Sequence, residues 1–254
     1  LPPDAFMLRS LLFAAAFYAI TGLMLVGLSW LLLAPRYWAM AGLKLHARIA
    51  TWLLHVIVGT KMEVRGRENL PEGPVLVVAK HQSTWDTFAL IPLFDDPAII
   101  LKDELKWIPF YGWFCVKFEH ILVKRDKAAV ALKAMVADAK DRVADGRQVL
   151  IFPEGTRTAP GAPPDYKPGY LALYDALAVP CVPVALNSGL FWPRRKFMRY
   201  PGTIVVSFLP PVPPGLPRKV AKEQIESALE AESRSLIAEA RMDSPTAPFS
   251  NSEK

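Results

Sequence analysis

The hydrophobic positions crowd toward one end of the chain. Ser10 to Ala34 is a run of 25 residues without a charged side chain. As one helix it would be about 37 Å long at 1.5 Å per residue. That length crosses a ~30 Å hydrocarbon layer with some tilt. Arg9 and Arg36 bracket the run, and Trp30, Tyr37 and Trp38 lie near its exit, where aromatic rings favour the membrane–water boundary. Ala39-Met40-Ala41 has the look of a signal-peptide cleavage site, but the apolar region of such a peptide extends to only ~15 residues. The pattern therefore predicts an embedded helix over residues 10–34, with a buried core helix as the alternative.

Over residues 37–58 the pattern becomes two-sided. Leu45, Ile49, Trp52, Leu53, Val56 and Ile57 share one face, while Lys44, Arg48, Thr51 and His55 form a polar stripe on the other. A basic amphipathic helix of this kind lies in the headgroup plane; an amphipathic core helix would show the same stripe. Arg36, Lys44, Arg48, Lys61, Arg65 and Arg67 outweigh Glu63 and Glu68 on this flank, whereas the other flank offers Arg9 and Asp4. The positive-inside bias then puts the rest of the chain on the cytoplasmic face of the inner membrane.

From residue 60 the pattern is that of a mixed α/β domain reaching to about 242. Short β-branched runs predict strands at Val75–Ala79, Ala98–Leu101, Ile121–Val123, Val149–Phe152, Val182–Leu186 and Thr203–Phe208. Helices are expected from Asp126, a candidate N-cap, to Asp145 with Gly146 as the stop, and over Arg218–Arg241. Proline gathers in Ala159–Pro168 and Pro210–Pro217, and residues 243–254 read as a disordered tail. The expected architecture is a mixed central sheet flanked by helices, preceded by a membrane-attached two-helix segment.

Composition narrows the classes. With 52% hydrophobic and 21% charged residues the chain is not a disordered one. Cys115 and Cys181 alone cannot make a disulfide framework. A net charge of +6 favours an anionic partner.

Two segments carry chemistry. The strand ending at Ala79 leads into Lys80-His81-Gln82-Ser83-Thr84-Trp85-Asp86. An imidazole in the turn before a helix can donate to a carboxylate in its first turn and so form a general-base pair. The same spacing also makes Ser83-x-x-Asp86 a helix-capping box. The second segment, Phe152-Pro153-Glu154-Gly155-Thr156-Arg157, follows a strand. Its glycine turn lets backbone N–H groups approach an anion, and Arg157 adds a forked donor suited to phosphate. Glu154 beside these donors points to orientation of a hydroxyl or of a neighbouring donor.

These segments resemble the H-x4-D and F-P-E-G-T-R motifs of the glycerolipid acyltransferases, specifically the 1-acyl-sn-glycerol-3-phosphate acyltransferases. Lys102 to Trp113 is similar to the stretch preceding that family's second motif, and Val179 to Asn187 to its fourth. The likeness covers roughly residues 60 to 210. Lys124-Arg125 departs from the family's usual Asp-Arg pair, which removes a carboxylate and adds positive charge.

The resemblance implies the following roles. His81 takes the proton from the sn-2 hydroxyl of lysophosphatidic acid, and Asp86 orients His81. Glu154, Gly155, Thr156 and Arg157 hold the glycerol phosphate, with Lys102 and Arg125 as further phosphate ligands. The donor is an acyl thioester on acyl-carrier protein or coenzyme A, already activated, so no covalent intermediate, cofactor or metal is expected. The product is phosphatidic acid. Two alternatives share these residues: an acyltransferase with another acceptor, such as glycerol-3-phosphate or a lyso-aminolipid, and a non-catalytic membrane lipid binder.

His120 is expected to be structural, as strand-edge histidines usually are. Both cysteines are expected to be small core residues. Arg194, Arg195, Lys196 and Arg199, interleaved with Phe191, Trp192, Phe197, Met198 and Tyr200, suit an anionic lipid surface. Nucleic acid is not an expected partner, since no nucleic-acid motif accompanies this patch.

Overall fold

The computed structural model of the chain describes residues 3–124 and 128–243. Seven strands form one sheet in the order β1-β7-β6-β2-β5-β3-β4. They are β1 (Thr60–Arg65), β2 (Leu76–Ala79), β3 (Ala98–Lys102), β4 (Ile121–Val123), β5 (Val149–Ile151), β6 (Cys181–Leu186) and β7 (Gly202–Phe208). β6 and β7 are antiparallel, and every other neighbouring pair is parallel. The sheet is thus a parallel block of five strands joined to a reversed pair at one edge.

The central strands are buried along their whole length: β2, β5 and β6 expose no residue. That is the signature of a sheet covered on both faces, where apolar runs replace alternation. One face, with Leu76, Val78, Val149, Ile151 and Ala185, packs under α5 (Ala128–Ala144), α6 (Gly169–Leu177) and α8 (Arg218–Asp243). The other, with Val77, Ala79, Leu150, Val182, Val184 and Leu186, packs under α1 (Pro3–Gly27) and α2 (Arg36–Leu53). Shorter helices α3 (Asp86–Ala89), α4 (Tyr111–Lys117) and α7 (Ser188–Phe191) complete the chain.

The N-terminal pair is therefore a layer of the fold. In α1, Phe13 and Phe17 are buried and pack edge-on to Trp192, Phe17 also meets Phe88, and Thr21 bonds His46 of α2 at 2.9 Å. The remaining faces of α1 and α2 expose Leu11, Leu12, Leu23, Tyr37, Trp38 and Trp52, and the turn between them exposes Leu33. Nearby, Trp107 and Trp113 project from the segment after β3.

The long uncharged run is not one helix. α1 starts earlier, at Pro3, and ends at Gly27, and a 3₁₀ turn over Ser29–Leu32 reverses the chain into α2. The turn is as apolar as the helix, so hydropathy alone merges the two. Asp4–Gly27 remains long and apolar enough to cross a membrane. The amphipathic helix ends in a π-helical turn, Leu54–Val58, closed by Gly59 at φ 91°. Strand β1 and helices α4 and α6 were not foreseen. The expected cap at Asp126 and almost all of the expected tail lie outside the described residues.

Candidate functional site

The parallel block presents the carboxyl ends of β6, β2, β5, β3 and β4 side by side. Loops at that edge are where open α/β sheets bind ligands. Here they carry Ser188, His81, the Phe152–Arg157 turn, Lys102 and Lys124 respectively.

His81 is held from four directions. Its Nδ1 lies 3.0 Å from Asp86 Oδ2. An ionised carboxylate only accepts, so the hydrogen belongs on Nδ1 and Nε2 is the basic nitrogen. The ring stacks on Phe152 with centroids 4.2 Å apart. The backbone N–H donates to Glu154 Oε2 at 3.0 Å, and the carbonyl accepts the Thr158 N–H at 2.8 Å.

Asp86 is fully buried. Its Oδ2 also accepts the N–H groups of Gln82 at 2.7 Å and Ser83 at 2.8 Å, and its Oδ1 accepts the Ser188 hydroxyl. Four donors offset the desolvation of one carboxylate. Asp86 thus both caps its own turn and bonds His81 Nδ1. Gly189 follows Ser188 and donates its N–H to the Gln82 side chain at 3.1 Å; a Cβ there would come within 2.9 Å of Gln82 and 2.8 Å of Pro160.

The glycine turn sits against the same histidine. Gly155 adopts φ 64°, a left-handed conformation that suits glycine. Arg157, half-buried, donates to the Thr84 hydroxyl inside the H-x4-D segment. Thr156 is exposed. Glu154 occupies a different position from the one the resemblance implied. It is 1% exposed, and its Oε1 accepts from Lys80 Nζ at 2.5 Å and from the Thr158 hydroxyl at 3.0 Å. With Oε2 on the His81 N–H, both oxygens are taken by protein donors, which matches the orienting role and leaves no open side for a phosphate.

Lys102 ends β3 and is exposed, opposite Val123 in register. With β5 between them, β3 and β2 stand about 10 Å apart at the usual strand spacing, so Lys102 faces the edge from the far side of the glycine turn. Lys124 is exposed. Arg125 lies outside the described residues.

Beyond Arg157 the basic loop closes the site. Arg194 donates to the Arg157 carbonyl at 2.5 Å. Arg199 lies over the Trp192 ring at 4.4 Å, and burial lowers its guanidinium to about 10. Arg194, Arg195, Lys196 and Arg241 line a cavity of about 440 Å³ beside Pro160 and Gly189.

The remaining titratable candidates are structural. His120 accepts the Ile99 N–H at 3.3 Å, and burial, with Arg147 and Arg36 nearby, pushes it down to about 3. Burial raises the Cys115 thiol to about 11 and drives Cys181 well above its ordinary value. Neither is a nucleophile in this setting.

Reasoning from the sequence missed Ser188, Lys80, Thr84 and Thr158. For Ser188 a signal was present: it lies two residues past the end of β6 and abuts the fourth family-like stretch, which ends at Asn187.

Residues 61–187 match the family model described as Acyltransferase. A 1-acyl-sn-glycerol-3-phosphate acyltransferase from Pseudomonas aeruginosa is 41% identical over 159 residues, covering 63% of this chain and 62% of that protein. The alpha form from Mus musculus is 32% identical over 166 residues, covering 63% of this chain and 58% of its own. The match thus spans about three fifths of the length of these curated relatives. The crystal structure of the 1-acyl-sn-glycerophosphate (LPA) acyltransferase from Thermotoga maritima has the same fold, with a TM-score of 0.76 at 23% identity, over 90% of this chain and 96% of that one.

Proposed function

The chain belongs to the acyltransferase family, and on that premise we propose that it acylates the sn-2 hydroxyl of lysophosphatidic acid from an acyl thioester, giving phosphatidic acid. The names of its relatives support this acceptor. The observation that carries the reading is the buried Asp86 holding His81 Nδ1 at 3.0 Å, which dedicates Nε2 to an incoming proton.

In this mechanism Nε2 accepts the hydroxyl proton as the oxygen attacks the thioester carbonyl. The tetrahedral intermediate collapses, the C–S bond breaks, and the imidazolium returns its proton to the departing thiolate. Asp86 stabilises the imidazolium between the two steps. A base so placed contributes about 10²–10⁴ in rate. Arg157 receives the acceptor phosphate, Lys102 approaches it from the β3 side, the exposed Thr156 hydroxyl and the Gly155 backbone contribute polar contacts, and Arg125 is a further phosphate ligand by the family resemblance. Charge-assisted bonds are roughly twice as strong as neutral ones, so a dianionic phosphate favours such a cluster. The donor is an acyl chain on carrier protein or coenzyme A.

The exposed apolar sides of α1 and α2 rest in the cytoplasmic leaflet of the inner membrane, with the basic loop among the headgroups. Because α1 is docked along the domain through Ser10, Phe13 and Phe17, removing residues 1–59 would uncover Phe88 and Trp192 and disrupt the fold. Point substitutions test attachment better. The activity itself is tested with purified protein in detergent, lysophosphatidic acid and an acyl thioester. His81→Ala is expected to abolish turnover while the variant remains folded. Turnover that survives the substitution would remove the general base from the mechanism.

A further inference from the structure

Behind His81 lies a buried charged cluster that the mechanism above does not use. Lys80 is 4% exposed, and its ammonium reaches three oxygens: Glu154 Oε1 at 2.5 Å, Glu230 Oε1 at 3.0 Å and the Tyr166 hydroxyl at 3.3 Å. It also lies 5.0 Å from the centroid of the Tyr166 ring. The Tyr166 hydroxyl donates to Glu230 at 2.5 Å. Glu230 belongs to α8, so the C-terminal helix reaches through this cluster to the residue preceding the histidine.

A lysine this deep normally carries a desolvation cost of several kcal/mol. Two carboxylates and a tyrosine meet its three donors, so the cluster is satisfied. What the cluster achieves is visible at Glu154. Lys80 and Thr158 hold one oxygen, and the other thereby faces the His81 N–H at 3.0 Å. Without the ammonium, Glu154 would be a buried carboxylate with no counter-charge and no reason to stay in that rotamer.

We propose that Lys80 is a positioning residue: gripped by Glu230 and Tyr166, it fixes Glu154 so that Glu154 sets the backbone of His81. The inference rests on His81 as the general base, but its structural half can be read without turnover. Lys80 touches no substrate. Its loss acts through the placement of Nε2, and a displacement of about 1 Å at a reacting group can cost about a hundredfold.

The test pairs Lys80→Met with the double variant Lys80→Met/Glu154→Gln. The single variant strands a buried charge. The double variant removes that charge yet keeps an amide oxygen to accept from His81. Lys80→Met is expected to lower kcat between about tenfold and a hundredfold, with both KM values within about twofold of wild type. The double variant is expected to recover most of the lost kcat. Hydrogen exchange of the peptide containing His81, followed by mass spectrometry, should quicken in the single variant and slow again in the double. If the wild type fails to acylate lysophosphatidic acid, the reading of the activity falls, while the exchange result still decides the positioning. A rise in the acceptor KM with kcat intact would make Glu154 a substrate ligand and overturn the proposal. So would a double variant no better than the single in both kcat and exchange. Should Lys80→Met not fold, Glu230→Gln and Tyr166→Phe alter the outer end of the cluster. Each is expected to lower kcat about threefold at constant KM, and wild-type kcat in both would overturn it.

Discussion

Ser188→Ala removes one hydroxyl from a fully buried site and leaves almost no cavity. Among the described residues that hydroxyl alone holds Asp86 Oδ1, whereas the three other donors share Oδ2. Its removal frees the carboxylate to swing about its Cβ–Cγ bond, and the imidazole follows. A hydrogen bond to a charged group contributes about 1.5–3 kcal/mol to stability. For a chain of this size each kcal/mol is about 2–4 °C in Tm, so a fall of several degrees is expected. The catalytic effect is smaller, because most of that bond is common to ground and transition states. A share of roughly 0.7–1.4 kcal/mol lowers kcat about three- to tenfold. Initial rates against both substrates should show unchanged KM values, and Ser188→Thr, which keeps the hydroxyl, should restore part of the loss. The reasoning fails if Ser188→Ala keeps wild-type kcat with the expected fall in Tm, since Asp86 orientation would then not depend on Oδ1.

Further expectations follow from the same geometry. Arg157→Ala should raise the KM for lysophosphatidic acid by roughly 10- to 150-fold, from the loss of a charge-assisted bond of about 1.5–3 kcal/mol. The donor KM should move less than twofold, and equal effects on both would remove the phosphate contact. Leu11 and Leu12 are 55% and 52% exposed on α1. With about half of each side chain exposed, about 0.75–1.5 kcal/mol is at stake per leucine, so changing both to Gln should weaken sedimentation with anionic vesicles by roughly 10- to 150-fold; undiminished pelleting would exclude this face as the anchor. Acid stability should carry the mark of His120. The native ring stays neutral down to about 3, whereas the unfolded one protonates near 6.5. Between these values the unfolded state binds the extra proton, so this stability is present above pH ~6.5 and is lost toward pH ~3, at most about 1.4 kcal/mol per pH unit. Urea midpoints between pH 7 and 5 should fall less steeply in His120→Gln than in wild type, and parallel slopes would contradict this.

What could be read from the chain, and what could not, has a physical pattern. The strands β2 to β7 appear within a residue or so of the expected places because their segments are largely apolar, whether covered on both faces, as β2, β5 and β6 are, or at the other edge of the sheet, as Ile121–Val123 of β4 is. β1 escaped because, as an edge strand, it carries Lys61, Glu63 and Arg65. α6 escaped for the opposite reason: Tyr170, Leu171, Leu173, Tyr174 and Leu177 are all buried, so its short segment shows little polar face. The His81–Asp86 pair was legible because its partners are five residues apart. Lys80 was not, since its partners lie 74, 86 and 150 residues away and nothing in one dimension marks a lysine as buried. Glu154 was found, but the phosphate-holding part implied for it gives way to its burial against Lys80 and the His81 N–H.

The contact of α1 with the loop after α7 links the N-terminal layer to the candidate site by a short mechanical path. Phe13 meets Trp192, the Arg199 N–H donates to the Ser10 hydroxyl at 2.8 Å, and Phe6 meets Tyr200. The same loop supplies Arg194 to the carbonyl of Arg157, and Arg157 touches Thr84 beside the histidine. A displacement of α1 would therefore be passed, contact by contact, through this loop to the backbone of Arg157 and the hydroxyl of Thr84.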